Sequence, residues 1–222
     1  MSNFCPEVTE DDQCRKLNEP CPRVRFKKRC ELHACMHIGH YNLVKSSDKD
    51  KPLASEVKKI MYPSFMENWK SFAKRPEPGK KRMTGDPLEK AIRQVLARDL
   101  ASCGGVTVHD KAMKFPIWDN NVYILADCLA EKGYYRNVVS VKTWIGTEQI
   151  RETFAYAYLA KTWLGQKDIR VYQIGLFPLK EKLLSLVEAC RPYLDGVFSL
   201  SSRPYFDDLV EHMKRDFMKL RN

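Results

Sequence analysis

The chain has 222 residues, of which 44% are hydrophobic and 11% aromatic, and 38 Lys and Arg against 28 Asp and Glu give it a net charge of +10. This composition fits one domain with a small appendage and excludes a disordered, collagen-like or low-complexity chain. No apolar run approaches the ~18 residues that suggest a membrane-spanning helix. The N-terminal stretch MSNFCPEVTEDDQC is polar and lacks a signal-peptide core. We therefore expect a soluble, intracellular protein.

Residues 1–50 are predicted to form a loop-rich appendage that is unusually rich in Cys and His. Five of the eight cysteines and three of the five histidines lie in this stretch. Thiolates and imidazoles are the usual ligands of tetrahedral Zn²⁺, and in a reducing compartment such a cluster favours a metal site over disulfides. The spacings match no common zinc finger, so reduced and partly buried thiols are the alternative. The candidate ligands of a structural Zn²⁺ are Cys21, Cys30, Cys35, His37 and His40.

Two short segments concentrate the positive charge. RVRFKKR at 23–29 and KRPEPGKKR at 74–82 each contain five basic residues. Lys and Arg side chains bind a polyanion by displacing its condensed counterions, which makes these segments candidate nucleic-acid contacts; a merely solvated basic surface is the alternative. The candidate DNA-binding residues are Arg23, Arg25, Lys27, Lys28, Arg29, Lys80, Lys81 and Arg82.

The remaining elements follow from apolar periodicity and helix-capping signals. Residues 51–85 are predicted to be a helical and basic linker region, with a helix over 53–74 that Pro63 should break or kink. Residues 86–222 are predicted to be the main domain. Its elements are a helix over 86–101, a hairpin of strands at 122–129 and 138–144, a helix over 148–163, a strand at 169–177, a helix over 179–190, a strand at 196–200 and a final helix after Pro204. This order predicts an α/β fold with a central mixed β-sheet flanked by helices.

The hairpin brings charged side chains together. Asp127 ends an apolar strand, and Ser140 and Lys142 share one face of the next strand. The flanking helices carry three glutamates in their first turns: Glu89, Glu148 and Glu152. Carboxylates beside a lysine suit Mg²⁺ and phosphodiester hydrolysis, since the metal stabilises charge on phosphate and acidifies an attacking water. A half-buried ion pair of Asp127 with Lys142, and helix-terminal roles for the glutamates, are the alternatives.

The segment ADCLAEKGYYRNVVSVKTW resembles the core of the PD-(D/E)xK nuclease superfamily, especially type II restriction endonucleases. Asp127 stands at the family's first-strand Asp, and Ser140-Val141-Lys142 stands at its (D/E)-x-K. In one restriction-enzyme group a Glu on the following helix replaces the acid that Ser-Val-Lys lacks. Here Glu152 or Glu148 would take that role, with Glu152 favoured because Glu148 should be more exposed. Glu89 matches a glutamate that the first helix of such enzymes often contributes.

The resemblance covers roughly residues 86–222 and implies a Mg²⁺-dependent endonuclease that cuts double-stranded DNA at a specific site. It implies a restriction-endonuclease-like core, a homodimer and the cytoplasm of a prokaryotic cell. By this resemblance the metal would be bound by four carboxylates: Asp127, Glu152, Glu89 and Glu148. Lys142 would orient the attacking water, and Ser140 would lie beside the metal ligands. Two alternatives stay open: a structure-specific repair or junction nuclease on the same fold, and a non-catalytic, zinc-stabilised nucleic-acid-binding protein.

Overall fold

The structure is a computed structural model that describes residues 13–14, 19–20, 44, 49–74, 85–116, 123–164 and 168–220. The candidate zinc ligands between Cys21 and His40 lie outside these residues. The candidate DNA contacts at 23–29 and 80–82 do so too. The zinc site and the two basic contact segments therefore stay predictions.

The described strands are short, and most of them belong to one sheet. In chain order they are β1 (Gln13–Cys14), β2 (Glu19–Pro20), β3 (Thr107–Val108), β4 (Met113–Pro116), β5 (Tyr123–Ala126), β6 (Cys128–Lys132), β7 (Tyr135–Lys142), β8 (Ile169–Gly175) and β9 (Gly196–Ser199). The central sheet has five strands in the order β3-β6-β7-β8-β9. Its β3–β6 and β6–β7 pairs are antiparallel, and its β7–β8 and β8–β9 pairs are parallel. This arrangement confirms the predicted mixed sheet.

Five α-helices cover the two faces of this sheet within the described residues. They are α1 (Pro52–Lys74), α2 (Gly85–Leu100), α3 (Thr147–Leu164), α4 (Leu184–Cys190) and α5 (Phe206–Lys219), with short 3₁₀ helices at Ala101–Cys103 and Glu181–Leu183. One apolar core joins α1, α2 and α5 to a face of the sheet, and a second core joins α3 and α4 to the other face. Alternate residues of β7 supply both cores: Val139 belongs to the first and Val138 to the second. The predicted flanking helices are therefore confirmed.

The start of α1 is anchored by a side chain of α5. The Asp207 carboxylate accepts hydrogen bonds from the backbone N–H groups of Leu53 (3.1 Å) and Ala54 (3.2 Å). Asp207 thereby satisfies donors at the start of α1 that have no partner within the helix. The apolar side of α1 packs into the same core as α2 and α5. Among the described residues, no helix combines the length and hydrophobicity needed to cross a bilayer.

The strand predicted over 122–129 is wrong as one continuous element, because the chain bends at Asp127. Before the bend, β5 pairs with β4 in a separate two-stranded ribbon. After the bend, β6 pairs with β7, starting from Cys128 opposite Val139. A two-residue turn at Gly133–Tyr134 closes this hairpin, and Gly133 adopts a φ of 58° that glycine accepts without strain. Apolar residues stand on both sides of Asp127, and this pattern alone does not reveal that the two halves pair with different strands.

Three smaller features also differ from the sequence-based expectations. The edge strand β3, only two residues long, carries no periodic signal of its own. The helix predicted over 179–190 begins as a 3₁₀ turn at Glu181. The first helix continues through Pro63 instead of breaking there. Pro63 and Lys59 are exposed, so the Lys59 carbonyl that lacks an N–H donor at residue 63 can bind water while the apolar side of α1 stays packed.

The proline within α1 predicts a simple route to higher stability. Pro63→Ala should raise the free energy of unfolding by about 1–3 kcal/mol, because proline is the least favourable residue in a helix interior. Urea denaturation followed by circular dichroism measures this gain. The neighbouring exposed Ser64→Ala is the control and should change stability by less than about 0.5 kcal/mol. Equal effects of the two substitutions would contradict a continuous helix at this point.

Candidate active site

Asp127 is fixed from two directions at the bend between β5 and β6. Its Oδ2 accepts hydrogen bonds from the Val141 backbone N–H (2.7 Å) and from the Ser140 hydroxyl (3.4 Å). Its own carbonyl oxygen accepts a hydrogen bond from the Arg93 guanidinium of α2. The register of the hairpin explains the first contact, since Cys128 lies opposite Val139 and the preceding Asp127 therefore comes beside Ser140. The carboxylate is thus held against β7 one residue before Lys142.

Lys142 is the last residue of β7, and its side chain lies on the same face as Ser140. The Leu176 N–H donates to the Lys142 carbonyl oxygen (3.2 Å), which ties this strand end to the chain after β8. The Lys142 Nζ lies 3.4 Å from Glu152 Oε2. Lys142 and Glu152 therefore pair at the end of β7, and the Asp127 carboxylate is held one residue before Lys142.

The beginning of α3 is fixed by buried polar contacts that position Glu152. The Gln173 side chain of β8 is fully buried, and its amide nitrogen donates to the Gln149 carbonyl oxygen (3.0 Å). The Gln149 side chain in turn accepts a hydrogen bond from the Gly146 N–H (3.1 Å). Because Gln149 lies less than one helical turn before Glu152, these contacts set the position of the Glu152 backbone relative to the sheet.

The other two predicted glutamates are placed differently. Glu148 pairs with Arg151 at 3.6 Å, and its side chain is 80% exposed. Glu89 lies on α2, which packs on the opposite face of the sheet, and it pairs with Arg93 at 3.6 Å. The structure therefore brings Glu152 to Lys142, directs Glu148 towards solvent, and places Glu89 across the sheet near the Asp127 backbone that Arg93 contacts.

Cys128 follows Asp127 and lies within the first core. Burial raises the pKa of its thiol strongly, and the charges of Asp127 and Glu89 raise this pKa further, against the opposing effect of Arg93. The thiol donates to the Glu89 carbonyl oxygen at 3.9 Å. A protonated, buried thiol is a poor nucleophile, so Cys128 serves packing. Cys103 and Cys190 are also buried free thiols.

The carboxylates of this site are the type of ligand that a hard cation such as Mg²⁺ prefers. Asp127 and Glu152 offer oxygen ligands, and Mg²⁺ commonly binds one or two carboxylates and takes its other ligands from water and phosphate. Within the part of the chain that the structure describes, no group of three or more His, Cys, Asp or Glu side chains is arranged to hold a metal ion.

Sequence reasoning missed three residues around this site. Arg93 lies one helical turn after Glu89, a spacing that could have identified it as a partner of the same region. Trp144 lies two residues after Lys142, and its side chain is 47% exposed. Lys180 lies in the segment after β8 and places its Nζ over the Trp144 ring. No local pattern connects residues 144 and 180, because only the parallel pairing of β7 with β8 brings them together.

The chain is similar to a restriction endonuclease PspGI–substrate DNA complex, with a TM-score of 0.47 and 13% identity over 84% of this chain and 83% of that chain. It is also similar to the small subunit of the heterodimeric restriction endonuclease R.BspD6I, with a TM-score of 0.37 and 12% identity over 73% of this chain and 82% of that chain. No protein-family model and no curated protein matches the sequence.

The hydrogen bonds of Asp127 predict that replacing this residue lowers the stability of the fold, whatever its role in chemistry. Asp127→Ala should lower the free energy of unfolding by about 1–3 kcal/mol, because the Val141 N–H loses a charged acceptor. Asp127→Asn should cost less, since its amide oxygen can still accept that hydrogen bond. Urea titrations of both variants measure the difference. Ser140→Ala is the control for the longer hydroxyl contact, and a larger loss in Ser140→Ala than in Asp127→Ala would contradict this geometry.

Proposed function

We propose that the protein is a Mg²⁺-dependent endonuclease that hydrolyses phosphodiester bonds in double-stranded DNA at a specific site, as type II restriction endonucleases do. The observation that supports the proposal is the Asp127 carboxylate held by the Val141 N–H, next to Lys142, which pairs with Glu152. These residues stand at positions where the sequence resembles the nuclease motif. The excess of basic residues in the chain supports a polyanionic substrate.

Stability alone does not account for the Lys142–Glu152 pair. The side chains are 26% and 46% exposed, and ion pairs in contact with solvent contribute about 0–1 kcal/mol. The Asp127 carboxylate is held against β7 by the Val141 backbone N–H, one residue before Lys142. Charged groups at a strand end that contribute little to stability are suited to stabilising charge on a substrate.

Each of these residues has a role in the proposed reaction. Asp127 and Glu152 would hold Mg²⁺, which would stabilise negative charge on the phosphate and lower the pKa of a bound water. Lys142 would orient the attacking water or contact a phosphate oxygen, from a backbone fixed by the Leu176 N–H. Glu152, rather than Glu148, would replace the acid missing at Ser140, because Glu152 is the one that approaches Lys142.

The first experiment tests the reaction itself. Purified protein incubated with plasmid and Mg²⁺ should give discrete fragments on an agarose gel, and EDTA should abolish cleavage because it removes the metal. A smear, or cleavage confined to branched substrates, would support the structure-specific repair nuclease instead. Binding of duplex DNA without any cleavage would support the non-catalytic nucleic-acid-binding protein.

The second experiment assigns the residues. Lys142→Ala should reduce cleavage by at least about 100-fold, the lower range for loss of a positioned acid–base group, and leave DNA affinity largely unchanged. Glu152→Gln should reduce the cleavage rate strongly, because the amide is a poor metal ligand. Glu148→Gln, on the same helix face one turn earlier, is the matched control and should retain activity. Equal losses in the two glutamine variants would remove Glu152 from its proposed role.

A further inference from the structure

The segment that follows Lys142 carries an exposed aromatic ring with a cation over it. Trp144 is 47% exposed, although tryptophan is among the largest apolar side chains. Lys180 Nζ lies 4.5 Å from the centroid of the indole ring. Phe177 contacts the same indole, with ring centroids 5.4 Å apart and planes inclined at 55°. The indole is therefore supported by Phe177 while it holds an ammonium group at the surface.

Hydrogen bonds make this surface continuous with the strand end that bears Lys142. The Phe177 N–H donates to the Thr143 carbonyl oxygen (3.3 Å), one residue after Lys142. The Ser201 hydroxyl donates to the Leu176 carbonyl oxygen (2.7 Å), and the Leu179 N–H donates to the Ser202 hydroxyl oxygen (3.0 Å). The segments after β7, β8 and β9 are thus joined at one edge of the sheet. Trp144 and Lys180 occupy this edge beside the candidate active site.

The stability that the Lys180–Trp144 contact provides is too small to explain this arrangement. Exposed cation–π contacts are worth about 0.5–1 kcal/mol. A carboxylate partner would neutralise the charge of Lys180, whereas the indole restrains the ammonium group and leaves its full charge available to an anion. This arrangement suits a phosphate of a long polyanion whose cleaved bond lies near Lys142.

We propose that Lys180 contacts a backbone phosphate of the substrate DNA and that Trp144 is a positioning residue that holds the Lys180 ammonium group for this contact. The inference rests on the proposed function, because it assumes DNA at the edge of the sheet that bears Lys142. The contact is independent of base sequence, since phosphates carry no sequence information directly.

The test measures the salt dependence of DNA binding by fluorescence anisotropy, with the full chain, a labelled duplex and EDTA to prevent cleavage. Loss of one phosphate contact should reduce the slope of log K against log[salt] by about 0.9 and weaken binding on the order of tenfold at 0.1 M salt. Lys180→Met should show this change, and Lys180→Arg should restore the slope. Trp144→Leu should shift the slope in the same direction, and adding Lys180→Met to Trp144→Leu should have little further effect.

Lys219→Met is the matched control. Lys219 is an exposed cation near the end of α5, where Asp216 accepts a hydrogen bond from Tyr135 at the opposite end of β7. Its removal should leave the salt slope unchanged. Equal slopes for Lys180→Met and the wild-type protein would overturn the inference while plasmid cleavage still upheld the proposed function. A wild-type protein that neither binds nor cuts the duplex would overturn both.

Discussion

The hydrogen bond from the Val141 N–H to the Asp127 carboxylate is the contact on which the candidate site depends. It joins the bend after β5 to β7 immediately before Lys142, so the carboxylate and the ammonium group come to the same strand end. A hydrogen bond from a backbone N–H to a carboxylate is charge-assisted and is worth about 1.5–3 kcal/mol. The Arg93 contact to the Asp127 carbonyl fixes the other side of the bend. The bend that carries Asp127 is therefore held from both sides.

The two faces of the sheet contribute different parts of this arrangement. From one face, α2 provides Arg93 and braces the bend. From the other face, α3 provides Glu152, and the buried Gln173–Gln149 contact fixes its first turn. Because both helices are packed on apolar cores, a displacement of either helix would disturb buried contacts. The positions of Arg93 and Glu152 are thus fixed by the same apolar packing that stabilises the fold.

The sequence predicted the parts of this site that depend on local patterns. The hairpin around Gly133, the apolar stripe of α2 and the shared face of Ser140 and Lys142 all follow from residue type and periodicity. The preference for Glu152 over Glu148 rested only on the expected greater exposure of Glu148, because residues four apart lie on the same side of a helix. Only the placement of α3 along the sheet separates them. The bend at Asp127 was missed for a related reason. The change of pairing partner from β4 to β7 depends on strands that are distant in sequence, and local residue patterns do not report it.

Serine at position 140 has a consequence for the charge balance of the proposed site. Its hydroxyl donates to Asp127 at 3.4 Å, so a carboxylate at this position would face Asp127 closely and the two negative charges would repel each other. In the proposed enzyme the second carboxylate would come from Glu152, which pairs with Lys142. Glu152 would hold Mg²⁺ in place of this pairing, and the Lys142 ammonium group would then contact an oxygen of the scissile phosphate.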